Sequence, residues 1–209
     1  MTIFWDWNGT LVADVDLVVK INNMVFAAHG YRDTNAEEYR RLFRFPVREY
    51  YYDLGVTPED FKVIAKEWNE GYVAHFHETG LTDGVLEALR RFKAAGFRQV
   101  IISASQVDQL RAQVKRFPAL AGMFDEVLGL GDVYAVSKVD LAKDYLRRSG
   151  VNPAQAMFLG DTDHDAQVAR AIGCPCCLIA GGHQEEATLR STGARVLHSL
   201  DEIYDILKV

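Results

Sequence analysis

Short, continuously apolar and largely β-branched or aromatic runs recur at wide spacing along this chain. They are Thr2 to Trp7, Arg98 to Ser103, Glu126 to Leu130, Ala156 to Gly160, Cys176 to Ala180 and Arg195 to Leu197. Between several of them the apolar residues switch to helical spacing. Examples are Val85, Leu86, Leu89 and Phe92, then Val139, Leu141, Ala142, Tyr145 and Leu146, then Ala166, Val168, Ala169 and Ile172. A strand without polar alternation is buried on both faces, and a strand that is followed by a helix pairs in parallel with the next. The pattern therefore predicts an α/β fold, a doubly wound Rossmann-like parallel sheet with helices on both faces.

One interval breaks the alternation. Val15 to His29, Ala36 to Phe43, Val47 to Leu54 and Pro58 to Phe76 read as four helices, with turn signals at Gly30, at Phe45-Pro46 and from Gly55 to Pro58. An all-helical block after the first strand predicts an inserted cap domain at 14–79 over a core made of 1–13 and 80–209.

Charge narrows the partners. The 209 residues carry 23 Lys+Arg against 29 Asp+Glu, a net charge of −6. That balance disfavours nucleic acid or an anionic membrane surface and leaves a small molecule as the expected partner. No apolar run reaches the roughly 18–20 residues of a membrane span. Met1 to Asp6 lacks the basic start of a signal peptide. Cys174, Cys176 and Cys177 crowd one apolar stretch, which predicts buried thiols, not a disulfide framework, and a cytoplasmic location. Oligomeric state, monomer or homodimer, is left open.

In parallel sheets ligands sit beyond the carboxyl ends of the strands. Asp6-Trp7-Asn8-Gly9-Thr10-Leu11 follows the first strand, Ser103-Ala104-Ser105 the second, and Gly160-Asp161-Thr162-Asp163-His164-Asp165 the fourth, while Ser137-Lys138 opens a helix. Several carboxylates at one edge need a cation between them, and oxygen ligands suit Mg²⁺. The Ser103 hydroxyl, Lys138 and turn N–H groups can hold phosphate oxygens, and a carboxylate facing phosphorus is a nucleophile.

The order D-W-N-G-T, a strand ending in Ser, a Lys, then G-D-x-x-x-D resembles the four motifs of the haloacid dehalogenase superfamily, and the helical insert resembles its first class of cap. The phosphoglycolate phosphatase-like members are the most similar. The resemblance implies a phosphatase acting on a small phosphorylated metabolite through an aspartyl-phosphate on Asp6. It further implies that Asp6, the backbone carbonyl of Asn8, and Asp161 bind Mg²⁺, with Asp165 behind them. Ser103, Ala104 and Lys138 would bind the phosphoryl group, and Thr10 would steady the loop.

One position departs from that pattern. The residue two after the nucleophile is usually a second Asp that protonates the leaving oxygen and later activates water. Here it is Asn8, which cannot exchange a proton at neutral pH. Loss of such help costs on the order of 10²–10⁴ in rate. Three explanations stand. Turnover is slow or directed at esters whose leaving group needs little protonation; another group, such as His164 or a cap residue, moves the proton; or the Asn was introduced to trap a complex. Alternatively the protein binds a phosphate ligand with little turnover. Phosphonate hydrolysis would need an imine-forming cap lysine, for which Lys20 is the early candidate.

Other residues invite weaker readings. Arg44, beside Phe45-Pro46, is the candidate for gripping a substrate carboxylate, against a plain surface role. His75 and His77 read as hinge packing, Tyr50-Tyr51-Tyr52 as cap packing, and Gly181-Gly182-His183 as a loop near the same edge.

Overall fold

The structure, a computed structural model, describes residues 1–131 and 137–209. Strands β1 (Thr2–Trp5), β4 (Arg98–Gln106), β5 (Glu126–Leu130), β6 (Ala156–Gly160), β7 (Cys176–Ile179) and β8 (Arg195–Leu197) form one six-stranded sheet in the order β5-β4-β1-β6-β7-β8. Every pairing in it is parallel, so the expected α/β, doubly wound sheet is present. The chain builds outward from β1 through β4 to β5, then returns to lay β6 on the other side of β1. That reversal brings the carboxyl ends of β4, β1 and β6 side by side.

Burial explains why these strands lack polar alternation. In β1, Ile3 and Trp5 pack with Leu89 and Phe92 of α5 (Val85–Ala94) and with Ile203 of α10 (Glu202–Leu207). Phe4 points to the opposite face, among Leu141 and Tyr145 of α7 (Lys138–Ser149) and Val168 of α8 (Asp163–Ile172). Each such apolar side chain contributes roughly 1.5–3 kcal/mol by leaving water. Helix α6 (Val107–Lys115) follows β4, and α9 (Glu186–Ser191) lies against β8.

The interval without strands is helical: α1 (Val15–His29), α2 (Ala36–Leu42), α3 (Val47–Asp53) and α4 (Pro58–His75). Local chemistry sets their ends. Asn35 caps α2 by accepting from the Glu38 N–H, and Thr57 caps α4 by accepting from the Asp60 N–H, with Pro58 in the first turn. Gly30 ends α1 in a left-handed conformation, φ 75°. Helix α1 packs on α4. Where this helical segment leaves and rejoins the sheet, β2 (Val12–Ala13) pairs antiparallel with β3 (Gly80–Leu81). The sequence shows no sign of that two-residue ribbon, because two residues carry no readable period.

Tyr50 and Tyr51 are buried as expected of helix packing, and His75 and His77 stack on each other at the exposed end of the insert. Cys174 and Cys177 are buried and Cys176 partly so, all three as free thiols. Among the described residues no helix is long and apolar enough to cross a membrane.

Candidate active site

Asp6 leaves β1 while its N–H still donates to the Leu159 carbonyl at 2.8 Å, so the strand's register fixes where its carboxylate points. Lys138 is the first residue of α7, whose N-cap Ser137 accepts from the Asp140 N–H. Its buried ammonium donates to Asp6 Oδ1 and, at 2.5 Å, to Asp165 Oδ1. Asp165 lies in the first turn of α8, and its Oδ2 accepts from the N–H groups of Asp161 and Thr162 and from the Thr162 hydroxyl. Asp161 accepts from the Thr10 hydroxyl at 2.8 Å and from the His183 N–H at 2.7 Å. Oxygens of Asp6, Asp161 and Asp165 all lie within 4.8 Å of one another. Four charged groups predicted from separate parts of the sequence thus meet at one buried point.

Their electrostatics follow from three carboxylates and one ammonium sharing that point. Burial, reinforced by the charges of Asp165 and Asp161, pushes Asp6 up to about 8 despite Lys138. Burial likewise raises Asp161 to about 6, against the opposing pull of His183. Asp165 goes the other way: burial would raise it, but Lys138 and the Thr162 hydrogen bonds hold it below its usual value. Burial would also lower Lys138, yet Asp165 and Asp6 keep it above the ordinary lysine range. The cluster is short of positive charge, and its donors are hard oxygens, which fits Mg²⁺. Asp6 Oδ2 has no hydrogen-bond partner among the described residues, and Asp6 lines the adjoining cavity.

The loop after β1 comes too close to its neighbours for side chains. Gly9 has φ +72°, and a Cβ there would collide with Asp161 and His183; a Cβ at Gly182 would collide with the Asp161 carboxylate. The loop at Gly181-Gly182-His183 therefore makes a direct contact with the carboxylate cluster, closer than a loop merely near the edge. The imidazole of His183 bridges Asp14 Oδ1 at 3.1 Å and the Tyr39 hydroxyl at 2.8 Å. Burial would lower His183, but Asp14, Asp161 and Asp6 raise it to about 9.

Asn8 sits in a fully paired network. Its amide nitrogen donates to Asp14 Oδ2 at 2.8 Å and to the Tyr72 hydroxyl at 2.6 Å, and its Oδ1 accepts from Ser105 at 2.9 Å. Asp14 also accepts from the Gly9 N–H and from Tyr72. Burial alone would raise Asp14, but His183, Tyr72 and Asn8 hold it below the usual carboxylate range. Sequence reasoning missed Asp14, Tyr39 and Tyr72. Asp14 occupies the N-cap position of α1 without making a side-chain cap bond, so its local pattern advertises a helix start and nothing more.

Over these groups lies a cavity of about 530 Å³ reached by Ser103, Ala104, Ser105 and Lys138 from the sheet side. The helical insert supplies Tyr39, Phe43, Phe45, Tyr50, Trp68 and Tyr72 to its walls. Ser103 donates to the Ser105 hydroxyl at 3.1 Å. His164 also lines the cavity, its ring 4.6 Å from that of Phe45, and burial lowers its pKa.

Arg44 does not join them. Its guanidinium pairs with Asp53 on the exposed outside of the insert, while its neighbours Phe43 and Phe45 turn inward, so the expected grip on a substrate carboxylate is not built. Side chains of adjacent residues in a turn diverge, and the aromatic pair took the direction of the cavity, Phe43 half-buried and Phe45 still 37% exposed. Lys20 likewise pairs with both oxygens of Glu78, at 2.8 and 2.7 Å, and does not line the cavity, so the lysine that phosphonate chemistry would require is not placed at the site.

Comparison with known proteins covers nearly the whole molecule. The sequence profile described as haloacid dehalogenase-like hydrolase matches residues 3–179. A phosphoglycolate phosphatase of Synechococcus elongatus is 23% identical over 90% of this chain and 87% of its own. The protein CbbY of Rhodobacter capsulatus is 30% identical over 82% of this chain and 81% of its own. A solved haloacid dehalogenase-like hydrolase from Streptococcus pneumoniae superposes with TM-score 0.87 at 21% identity, covering 99% of this chain and 97% of that one.

Proposed function

The chain belongs to the haloacid dehalogenase-like hydrolase family, and we propose that within it this protein is a Mg²⁺-dependent phosphatase that hydrolyses a small phosphate monoester through an aspartyl-phosphate on Asp6. The observation that carries this reading is the meeting of Asp6, Lys138, Asp161 and Asp165 at one buried edge, with one Asp6 oxygen unpartnered beside a cavity.

In this reading Asp6 Oδ2 attacks phosphorus. Ser103, the backbone at Ala104, and Lys138 hold the phosphoryl oxygens, and Lys138 also screens the Asp6 charge. Asp6, Asp161 and the carbonyl of Asn8 would hold Mg²⁺, which when bound neutralises the carboxylates and the phosphoryl charge. Asp165, whose oxygens are taken up by Lys138 and by the 161–162 turn, locks Lys138 and that turn in place. The helical segment at 14–79 acts as the cap, excluding water from the phosphoryl group and choosing the leaving group with its aromatic wall. The donors and acceptors around Asn8 match an amide, which supports it as the residue the site was built around.

A p-nitrophenyl phosphate assay with Mg²⁺ tests this. Its leaving group needs no acid, so turnover is expected, with loss of at least about 10³ in kcat for Asp6→Asn. A second reading, phosphate-ligand binding with little turnover, is favoured by the amide at position 8. Phosphate binding without hydrolysis of that ester would select it instead.

A further inference from the structure

Resting on the phosphatase reading, we infer that the substrate's leaving group is an uncharged aromatic hydroxyl, so that the protein is built for aryl phosphates and not for esters of carboxylated alcohols.

Two features converge on this. The first is the cavity wall. Its volume of about 530 Å³ falls in the roughly 300–1,000 Å³ range of sites that enclose a whole small molecule. Phe43, Phe45, Tyr50 and Trp68 line it, and rings pack on rings with a preference beyond simple burial. Among the described lining residues the only ammonium or guanidinium is Lys138, already held between Asp6 and Asp165. Four of the five arginines of the insert are committed elsewhere, Arg32 to Glu38, Arg40 to the carbonyls of Gly181 and Gly182, Arg44 to Asp53 and Arg48 to Glu49, and the fifth, Arg41, is exposed and does not line the cavity. A carboxylate on the leaving group would be desolvated there with no unpaired cation, since the His183 imidazole that also lines the cavity is held by Asp14 and Tyr39. A neutral ring would not. The wall also offers polar contacts a neutral ring can use: Trp68 Nε1 is buried without a hydrogen-bond partner among the described residues, and the amides of Asn69 and Gln109 line the same space.

The second feature is at the reacting end. Asn8 has both amide hydrogens donated, to Asp14 and Tyr72, and holds no acidic proton. An alkyl ester must expel an alkoxide about as basic as hydroxide, whose parent water has pKa ~15.7. A phenol, with pKa about 10, leaves as phenolate without an acid. In the step itself the Asp6 oxygen forms the new bond to phosphorus as the bond from phosphorus to the aryl oxygen breaks. The electron pair departs on the phenolate, which takes its proton from water. A second water then attacks the aspartyl-phosphate, releasing inorganic phosphate and the Asp6 carboxylate.

The test measures kcat and KM of the full chain with Mg²⁺ on phenyl phosphate, benzyl phosphate and 2-phosphoglycolate, with acetyl phosphate as control. Phenyl phosphate is expected to exceed 2-phosphoglycolate in kcat/KM by about 100-fold or more. Benzyl phosphate, with the same ring on an alkyl oxygen, is expected to lose on the order of 10²–10⁴ in kcat/KM, which reports the step that expels the leaving group. Asn69→Arg, which adds a guanidinium at the exposed rim, is expected to shift the selectivity ratio about tenfold toward 2-phosphoglycolate. Preference for 2-phosphoglycolate in the unmodified protein, equal kcat/KM for phenyl and benzyl esters, or an unmoved ratio in Asn69→Arg overturns the inference while leaving a phosphatase. Hydrolysis of none of the four, acetyl phosphate included, overturns the phosphatase reading itself.

Discussion

The carboxylate of Asp14 lies 2.8 Å from the side-chain nitrogen of Asn8 and receives one of its two amide hydrogens. Position 8 is a neutral amide, and the negative charge beside it stands at position 14. That neighbour is buried, ionised and tied to Tyr72, Gly9 and His183. An amide at position 8 is what such a neighbour requires.

Asn8→Asp is therefore not a simple gain of an acid. It sets two buried carboxylates against each other and removes two donated hydrogen bonds, so it should destabilise the fold, and Asp14→Asn should do so as well by leaving His183 and Tyr72 without their acceptor charge. The exchanged pair Asn8→Asp with Asp14→Asn should recover part of the loss, with a coupling of roughly 1–3 kcal/mol. Urea denaturation of the four proteins gives the cycle. Additive losses would mean that the two side chains are not coupled.

Metal and proton should compete for the carboxylate cluster. Without metal, Asp6 and Asp161 are raised to about 8 and about 6, so the folded state binds protons more tightly than the unfolded chain. Stability should then fall as pH rises through those values, because deprotonation leaves like charges buried together. Mg²⁺ should offset that loss, so the rise in Tm on adding it should be larger near pH ~8 than near pH ~5. Asp161→Asn should abolish the rise. A metal effect independent of pH would place the ion elsewhere.

Tyr39→Phe removes the hydroxyl that bridges α2 to the His183 imidazole. Both groups are buried, so the ring nitrogen loses its partner, at a cost of about 1–3 kcal/mol. Denaturant midpoints should report the loss. A change below about 0.5 kcal/mol would show that this contact between insert and sheet domain is dispensable.

Arg44→Ala removes only an exposed ion pair with Asp53. Stability should change by less than about 1 kcal/mol, and KM for any phosphate ester by less than about twofold. A large rise in KM confined to carboxylated substrates would return Arg44 to the site.

The sheet strands and the four helices of the insert were legible because their signals are local: an unbroken apolar run, a period of 3.6, a capping Asn or Thr. Asp6, Lys138, Asp161 and Asp165 were legible for a related reason, since each follows a strand or opens a helix and a parallel sheet gathers such positions at one edge. Asn8 stood out by its chemistry alone. What stayed hidden was who would answer it. Asp14 is six residues away yet reads as a helix cap, while Tyr72 and His183 reach Asp14 across 58 and 169 positions of sequence. Arg44 and Phe45 stand side by side in the chain, and nothing in their order says which one turns inward. By itself the sequence determined the layers of the fold and the charged groups at its edge, because periodicity and residue chemistry act over a few neighbours. Only the tertiary structure decided which buried donors meet which acceptors, because the packing of the helical insert onto the sheet sets those distances, and no local pattern records it.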